Sequence, residues 1–173
     1  YNYTYYTQHP NDSGPVYRDP TNQFGDGSWR KDTIDGKGVT RPGEASEASM
    51  GFAVDLSAHK MLGAALKGQL TAENIIYYDN YKGDDDYGRP FIAFYNSAGT
   101  RLGTYEGDNK SVSNWVNNSM NKSVPKNAAY IIYGALAKRS GGVFNKDLDF
   151  NLNKITGTIY DVTKPYVVRV TNE

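Results

Sequence analysis

The residues best suited to chemistry crowd into one stretch, Asp79 to Arg89, where Asp79, Asp84, Asp85 and Asp86 stand among Tyr81, Tyr87, two glycines and Arg89. Carboxylates on a glycine-containing loop are the hard oxygen ligands that calcium takes six to eight at a time. Asp79, Asp84, Asp85 and Asp86 are therefore the candidate metal ligands, with calcium as the ion. Their spacing is not that of an EF-hand loop, so a solvated acidic loop is the competing reading. Asp147 and Asp149 join such a site only if the fold brings them close.

Aromatic residues border the same stretch: Tyr77 and Tyr78 before it, Tyr81 and Tyr87 within it, Tyr95 after it, and Trp115 on a later strand. Aromatic rings stack on the apolar C–H faces of sugars, while Asp, Asn and Arg pair with the hydroxyls. Tyr78, Tyr81, Tyr87, Arg89 and Trp115 are accordingly the candidate ligand-binding residues, and a glycan or polysaccharide the candidate partner. Core packing is the alternative for each ring, and for Arg89 the alternative is an ion pair with the neighbouring aspartates.

Little else in the chain carries chemistry. Its two histidines, His9 and His59, are the only near-neutral acid–base groups, and there is no cysteine to act as nucleophile or zinc ligand. No phosphate-binding loop or dinucleotide fingerprint occurs, and no cluster sets His, Tyr, Arg and Gln at alternating strand positions. The expectation is a protein that is not an enzyme. Nineteen basic residues balance nineteen acidic ones, which gives no pull toward nucleic acid or an anionic membrane, and no apolar run is long enough to insert in a bilayer.

The elements that must position these residues read as strands. Fifteen tyrosines and 18 glycines in 173 residues suit twisted strands joined by polar turns. Residues 1–43, broken by Pro10, Pro15, Pro20 and Pro42, read as a loop-rich or edge segment packed on a sandwich; 44–160 form its core, and 161–173 a last strand or linker. Strands are expected at 50–56, 74–78, 91–95, 100–106, 112–116, 128–137 and 166–170. Asn96-Ser-Ala-Gly99 closes a hairpin between the third and fourth of these. For 56–70 the glycines at 63 and 68 favour a turn followed by a strand over a helix. Leu148, Phe150 and Leu152 alternate with polar residues, so that strand has one face buried and one wet.

The succession Val54-Asp-Leu-Ser57, the acidic loop, Phe91-Ile-Ala-Phe-Tyr-Asn-Ser-Ala-Gly-Thr-Arg-Leu-Gly103, Trp115, Val124-Pro125, the run 128–133 and Leu148-Asp-Phe-Asn-Leu152 resembles the galactose-binding-like jelly rolls of bacterial carbohydrate-binding modules and surface proteins. In that family a strand reading FYDSNGNLLG precedes a tryptophan, a VP entry to a paired strand, and a closing FDDV-like strand. The closing strand departs from the pattern, because Asp147 and Asp149 alternate where the family's carboxylates are adjacent. The resemblance spans about residues 50–155 and implies an all-β, antiparallel β-sandwich of jelly-roll, galactose-binding-like type. It also implies a noncatalytic glycan-binding module or lectin-like adhesin of a secreted or cell-surface protein. The alternatives are a protein-binding or spacer domain meeting a host or neighbouring surface protein, and a jelly-roll lyase or hydrolase.

Overall fold

A computed structural model describes residues 2–8, 30–42, 47–80, 86–110, 114–138, 150–163 and 167–171. Eleven strands are assigned within them: β1 Asn2–Gln8, β2 Arg30–Ile34, β3 Lys37–Arg41, β4 Glu47–Asp55, β5 Leu70–Asn80, β6 Tyr87–Tyr95, β7 Arg101–Glu106, β8 Val116–Ser123, β9 Tyr130–Lys138, β10 Phe150–Asp161 and β11 Val167–Thr171. One helix, α1 Leu62–Leu66, sits between β4 and β5. The strands form two sheets, and every pairing is antiparallel except β1 with β11. The fold is thus the antiparallel β-sandwich expected from the sequence.

The four-stranded sheet runs β4-β9-β6-β7. In the larger sheet β10 is central: β5 lies along one side with β8 beyond it, while β1 and β3 share the other side, continued by β11 and β2 respectively. Period-two alternation decides which side chains enter the space between the sheets. β5 sends in Leu70, Ala72, Asn74, Ile76 and Tyr78; β9 sends in Ile131, Tyr133, Ala135 and Ala137, and all are buried. Along β10 the parity flips. Phe150 and Leu152 point inward, a bulge intervenes between Leu152 and Lys154, and Ile155 and Ile159 then carry the inward face. Asn153, the bulged residue, donates its amide to Gly38 O at 2.7 Å and so anchors the β2–β3 hairpin.

Rings of one sheet seat on glycines of the other. Tyr133 packs where a Cβ on Gly157 would stand, and Phe150 where one on Gly88 would stand. Polar groups cross the core as well. Asn74 Nδ2 donates to Phe91 O at 2.9 Å and to Gly134 O at 2.8 Å, two residues paired across β6 and β9. Tyr133 Oη donates to Thr158 O at 2.8 Å.

Three segments differ from the sequence reading. The strand expected at 112–116 is assigned as β8, Val116–Ser123, which leaves Trp115 just ahead of it. The segment 62–66 is helical rather than extended because Gly68 works as a stop signal and not as a breaker. With φ at +70°, Gly68 donates to Ala65 O and Gln69 to Ala64 O, a Schellman end beyond which β5 begins at Leu70. The segment 1–43 contributes three strands where loop and edge material was expected. Asp35 and Gly36, with φ +53° and +73°, form the two-residue turn whose twist suits a hairpin, and Asp-Gly is its sequence signal.

Replacing Asn74 with alanine removes both cross-sheet bonds and leaves two buried acceptors short of a donor. A loss of about 2 kcal/mol in unfolding free energy is expected, read from the midpoint of a urea titration at constant slope.

Candidate functional site

The sequence-predicted ligand residues do not converge on one surface. Tyr78 is a core residue, fully enclosed, and its hydroxyl donates to Gly88 O at 3.1 Å and Lys110 O at 2.6 Å. Its ring tilts against Phe150 with centroids 4.8 Å apart. The expectation that Tyr78 meets a ligand is therefore corrected: strand alternation turns it inward. Burial pushes its phenol up to about 12, a rise only partly offset by its hydrogen bond with Asn118.

Tyr87 and Arg89 occupy the outward face of the four-stranded sheet, where both are half-buried. Arg89 Nε lies 2.8 Å from Glu106 Oε1 across the β6–β7 pair, an ion pair with the neighbouring strand. Further along that face Phe91, Ala93, Ile132 and Leu136 form a second buried cluster with Tyr95 packed against it. This face is closed at its centre.

Trp115 stands on the other side of the sandwich, just ahead of β8, whose register puts Asn117 opposite Tyr77 of β5. The Trp115 and Tyr77 rings stack, 5.3 Å between centroids and 25° between planes. Trp115 Nε1 donates to Asp35 Oδ2 at 3.1 Å, and Lys37 Nζ lies 5.2 Å from the indole centre. The indole thus docks the β2–β3 turn against β5 while remaining half-exposed.

From this aromatic pair an open polar surface runs along the larger sheet. Asn117, Ser119, Asn121 and Ser123 on β8 are all exposed, opposite Tyr77, Ile75, Glu73 and Thr71 on β5. On the far side of β5, β10 brings Lys154, Thr156, Thr158 and Tyr160 into the same register. Tyr160 Oη donates to Glu73 Oε1 at 3.1 Å. The Tyr160 phenol is raised by burial and by the charge and hydrogen bond of Glu73, against a smaller opposing effect of Thr158.

Of the expected calcium ligands, Asp84 and Asp85, together with Tyr81, lie outside the described residues, as do Asp147 and Asp149. Asp79 and Asp86 are both buried, at 8% and 1% exposure. The Asp79 carboxyl is raised, chiefly by burial and further by the charge of Asp35, with a backbone hydrogen bond from Asn80 opposing. Among the described residues its Oδ1 has no hydrogen-bond partner, and neither has Oδ1 of Asn151, the residue opposite it on β10. Among the described residues no three acidic or imidazole groups assemble as a metal cage.

Sequence reading missed Tyr160, Glu73 and the exposed row on β8. The row Asn117, Ser119, Asn121, Ser123 is a period-two signal, but Asn and Ser are weak strand formers and the stretch reads as loop. Tyr160 was hidden by the parity change at the β10 bulge.

No family model matches the sequence, and no curated protein does. Solved structures share the fold. A xylan-binding domain from carbohydrate-binding module family 22 superposes with a TM-score of 0.54 at 13% identity, over 91% of this chain and 95% of that one. The C-terminal family 22 module of Clostridium thermocellum Xyn10B gives 0.50 at 14% identity, over 88% and 84%. A chain of infectious bursal disease virus gives 0.50 at 9% identity over 93% of this chain and 32% of the viral one, so the same sandwich also serves in a virus particle.

A Tyr78→Phe variant tests the buried phenol. Because the folded phenol titrates above its ordinary value of 10.0, its contribution is complete below pH 10 and is lost as pH rises toward about 12. The stability difference between native protein and variant, about 1–2 kcal/mol at pH 7 for the lost hydrogen bonds, is expected to shrink across that window. Urea midpoints measured from pH 7 to 11 check it.

Proposed function

We propose that this chain is a noncatalytic glycan-binding module of an extracellular protein, and that the outward face of β8, β5 and β10 holds the sugar chain. The observation that carries the reading is the exposed row Asn117, Ser119, Asn121 and Ser123, flanked by the Tyr77–Trp115 stack and by Tyr160 bonded to Glu73. Amide and hydroxyl groups on a rigid sheet match sugar hydroxyls, and half-exposed rings match the apolar faces of pyranoses. Its fold likeness to xylan-binding modules supports the class of partner and makes xylan the first polysaccharide to try. Binding of this kind changes no bond; it keeps whatever is attached to the module near its polysaccharide.

Calcium stays attached to the acidic loop in this proposal. Asp84 and Asp85, with Asp79 and Asp86, would supply carboxylates there.

A second reading, a protein-binding or spacer domain, draws on the opposite end of β5. Leu62 and Leu66, one turn apart on α1, are 43% and 68% exposed, and Val162 is 70% exposed. Val162 N donates to Gln69 O at 2.9 Å, which holds the β10–β11 turn close to the helix. Exposed aliphatic groups gathered at one end suit a neighbouring protein surface.

A polysaccharide panel that includes soluble xylan, run once with calcium and once with chelator, separates these readings. Retention of at least one polysaccharide is expected, weakened about tenfold by Asn117→Ala with Asn121→Ala. Silence across the panel sinks the glycan reading, and loss of binding in Arg89→Ala but not in the β8 variant moves the site to the four-stranded sheet. Loss with chelator alone assigns calcium a part in binding.

A further inference from the structure

We infer that the face takes a linear, uncharged polysaccharide in an extended conformation and spans about four sugar units, with Tyr160 as the far contact; this rests on the glycan-binding reading above. Tyr77 is level with Lys154 and Tyr160 is level with Thr71, so the two tyrosines are six positions apart along β5 and one strand apart across it. At about 3.3 Å per residue that is ~20 Å, about four pyranose rings of an extended β-linked chain. The spacing, and not the presence of two rings alone, sets the length.

Tyr160 is held at its hydroxyl. Its hydroxyl is tied to Glu73, two positions nearer the centre of the face on the adjacent strand, and to Thr158, the preceding residue on the same face of β10. A phenol held at its tip in this way has its ring fixed in one place on the half-exposed face. Thr158 is itself only 4% exposed. Tyr77 is fixed differently, by its stack on Trp115, which the Asp35 bond holds in turn. Both aromatic contacts are pre-set before a ligand arrives, so little rotamer freedom is lost on binding.

Between the tyrosines the β8 row offers amide, hydroxyl and amide at every second residue, all uncharged. Glu73 and Lys154 are the charged side chains between them among the described residues of this face, and their charges cancel. A polyanionic or polycationic glycan finds no net attraction here, whereas a neutral chain finds alternating donors and acceptors. Extension follows from the scaffold. Strand β8 pairs with β5 at every residue from Val116 to Ser123, so its outward side chains form one unbroken row.

Calorimetric titration with β-1,4-linked xylo-oligosaccharides and cello-oligosaccharides of two to six units reads the length directly. Affinity is expected to climb about tenfold or more between two and four units and to level off thereafter. In Tyr160→Ala the tetrasaccharide is expected to lose about tenfold and the climb beyond two units to flatten. Tyr160→Phe, which keeps the ring but frees it from Glu73, is expected to lose less than the alanine variant. Circular dichroism and melting establish that each variant is folded. Equal affinity for the two-unit and six-unit ligands, or a Tyr160→Ala variant with the native length profile, overturns the inference while leaving glycan binding standing. Failure of every neutral oligosaccharide to bind, while charged glycans bind, overturns it too; failure of all glycans removes the reading beneath it.

Discussion

Hydrogen bonds that cross the apolar core hold the two sheets in one relative position, and the rest of the structure depends on that position. Hydrophobic contact alone allows sheets to slide, since methyl groups pack nearly as well one step along. Asn74 permits only one placement, because its amide reaches two carbonyls on different strands of the facing sheet. Tyr78 repeats the constraint near the acidic loop by reaching Gly88 and Lys110, and Asn118 does so from β8 to Gly88 and Asp108. Tyr133 runs in the other direction, from β9 to Thr158. A buried polar group that is satisfied in one arrangement and stranded in all others selects that arrangement.

This explains why so many aromatic residues in a chain suited to recognition turn out to be structural. Tyr78 and Tyr133 combine a large apolar body with a hydroxyl that finds a carbonyl across the core. The glycines opposite provide the depth they need: Gly88 beneath Phe150 and Gly157 beneath Tyr133. Tyrosine count therefore says little about binding surface here. Position relative to strand parity says much more, and Tyr77 and Tyr78, adjacent in sequence, sit on opposite sides of one sheet for that reason alone.

The sandwich itself was legible. The hairpin at Asn96–Gly99 was readable because Asn96 Oδ1 accepts from Ala98 N and Thr100 N and Gly99 adopts φ +80°, the turn chemistry those residue types favour. Runs such as 91–95 and 128–137 were readable from their apolar and β-branched content. The N-terminal strands were less so, since β1 gains its order from partners distant in sequence, and the Asp35-Gly36 turn that folds β2 onto β3 was overlooked. For the candidate site, Trp115 was found, but Tyr160 and the β8 row were not. Their roles depend on a bulge and on cross-strand register, neither of which is written in local periodicity. The acidic loop drew attention through composition, yet Asp79 belongs to strand β5 and Asp86 is buried at the foot of β6.

The first strand has a consequence for how the molecule comes into being. β1 lies between β10 and β11, pairing Tyr3 with Ile159 and, on its other edge, with Val168. Its partners lie far later in the sequence, and until they emerge from the ribosome β1 has no sheet to join. The search that brings them together closes the long loop from β1 to β10 and β11, the kind of contact that makes β-sandwiches slow to fold. In the interval its tyrosines are available to other copies of the nascent chain. Assembly of this sheet is a race between late closure and premature association.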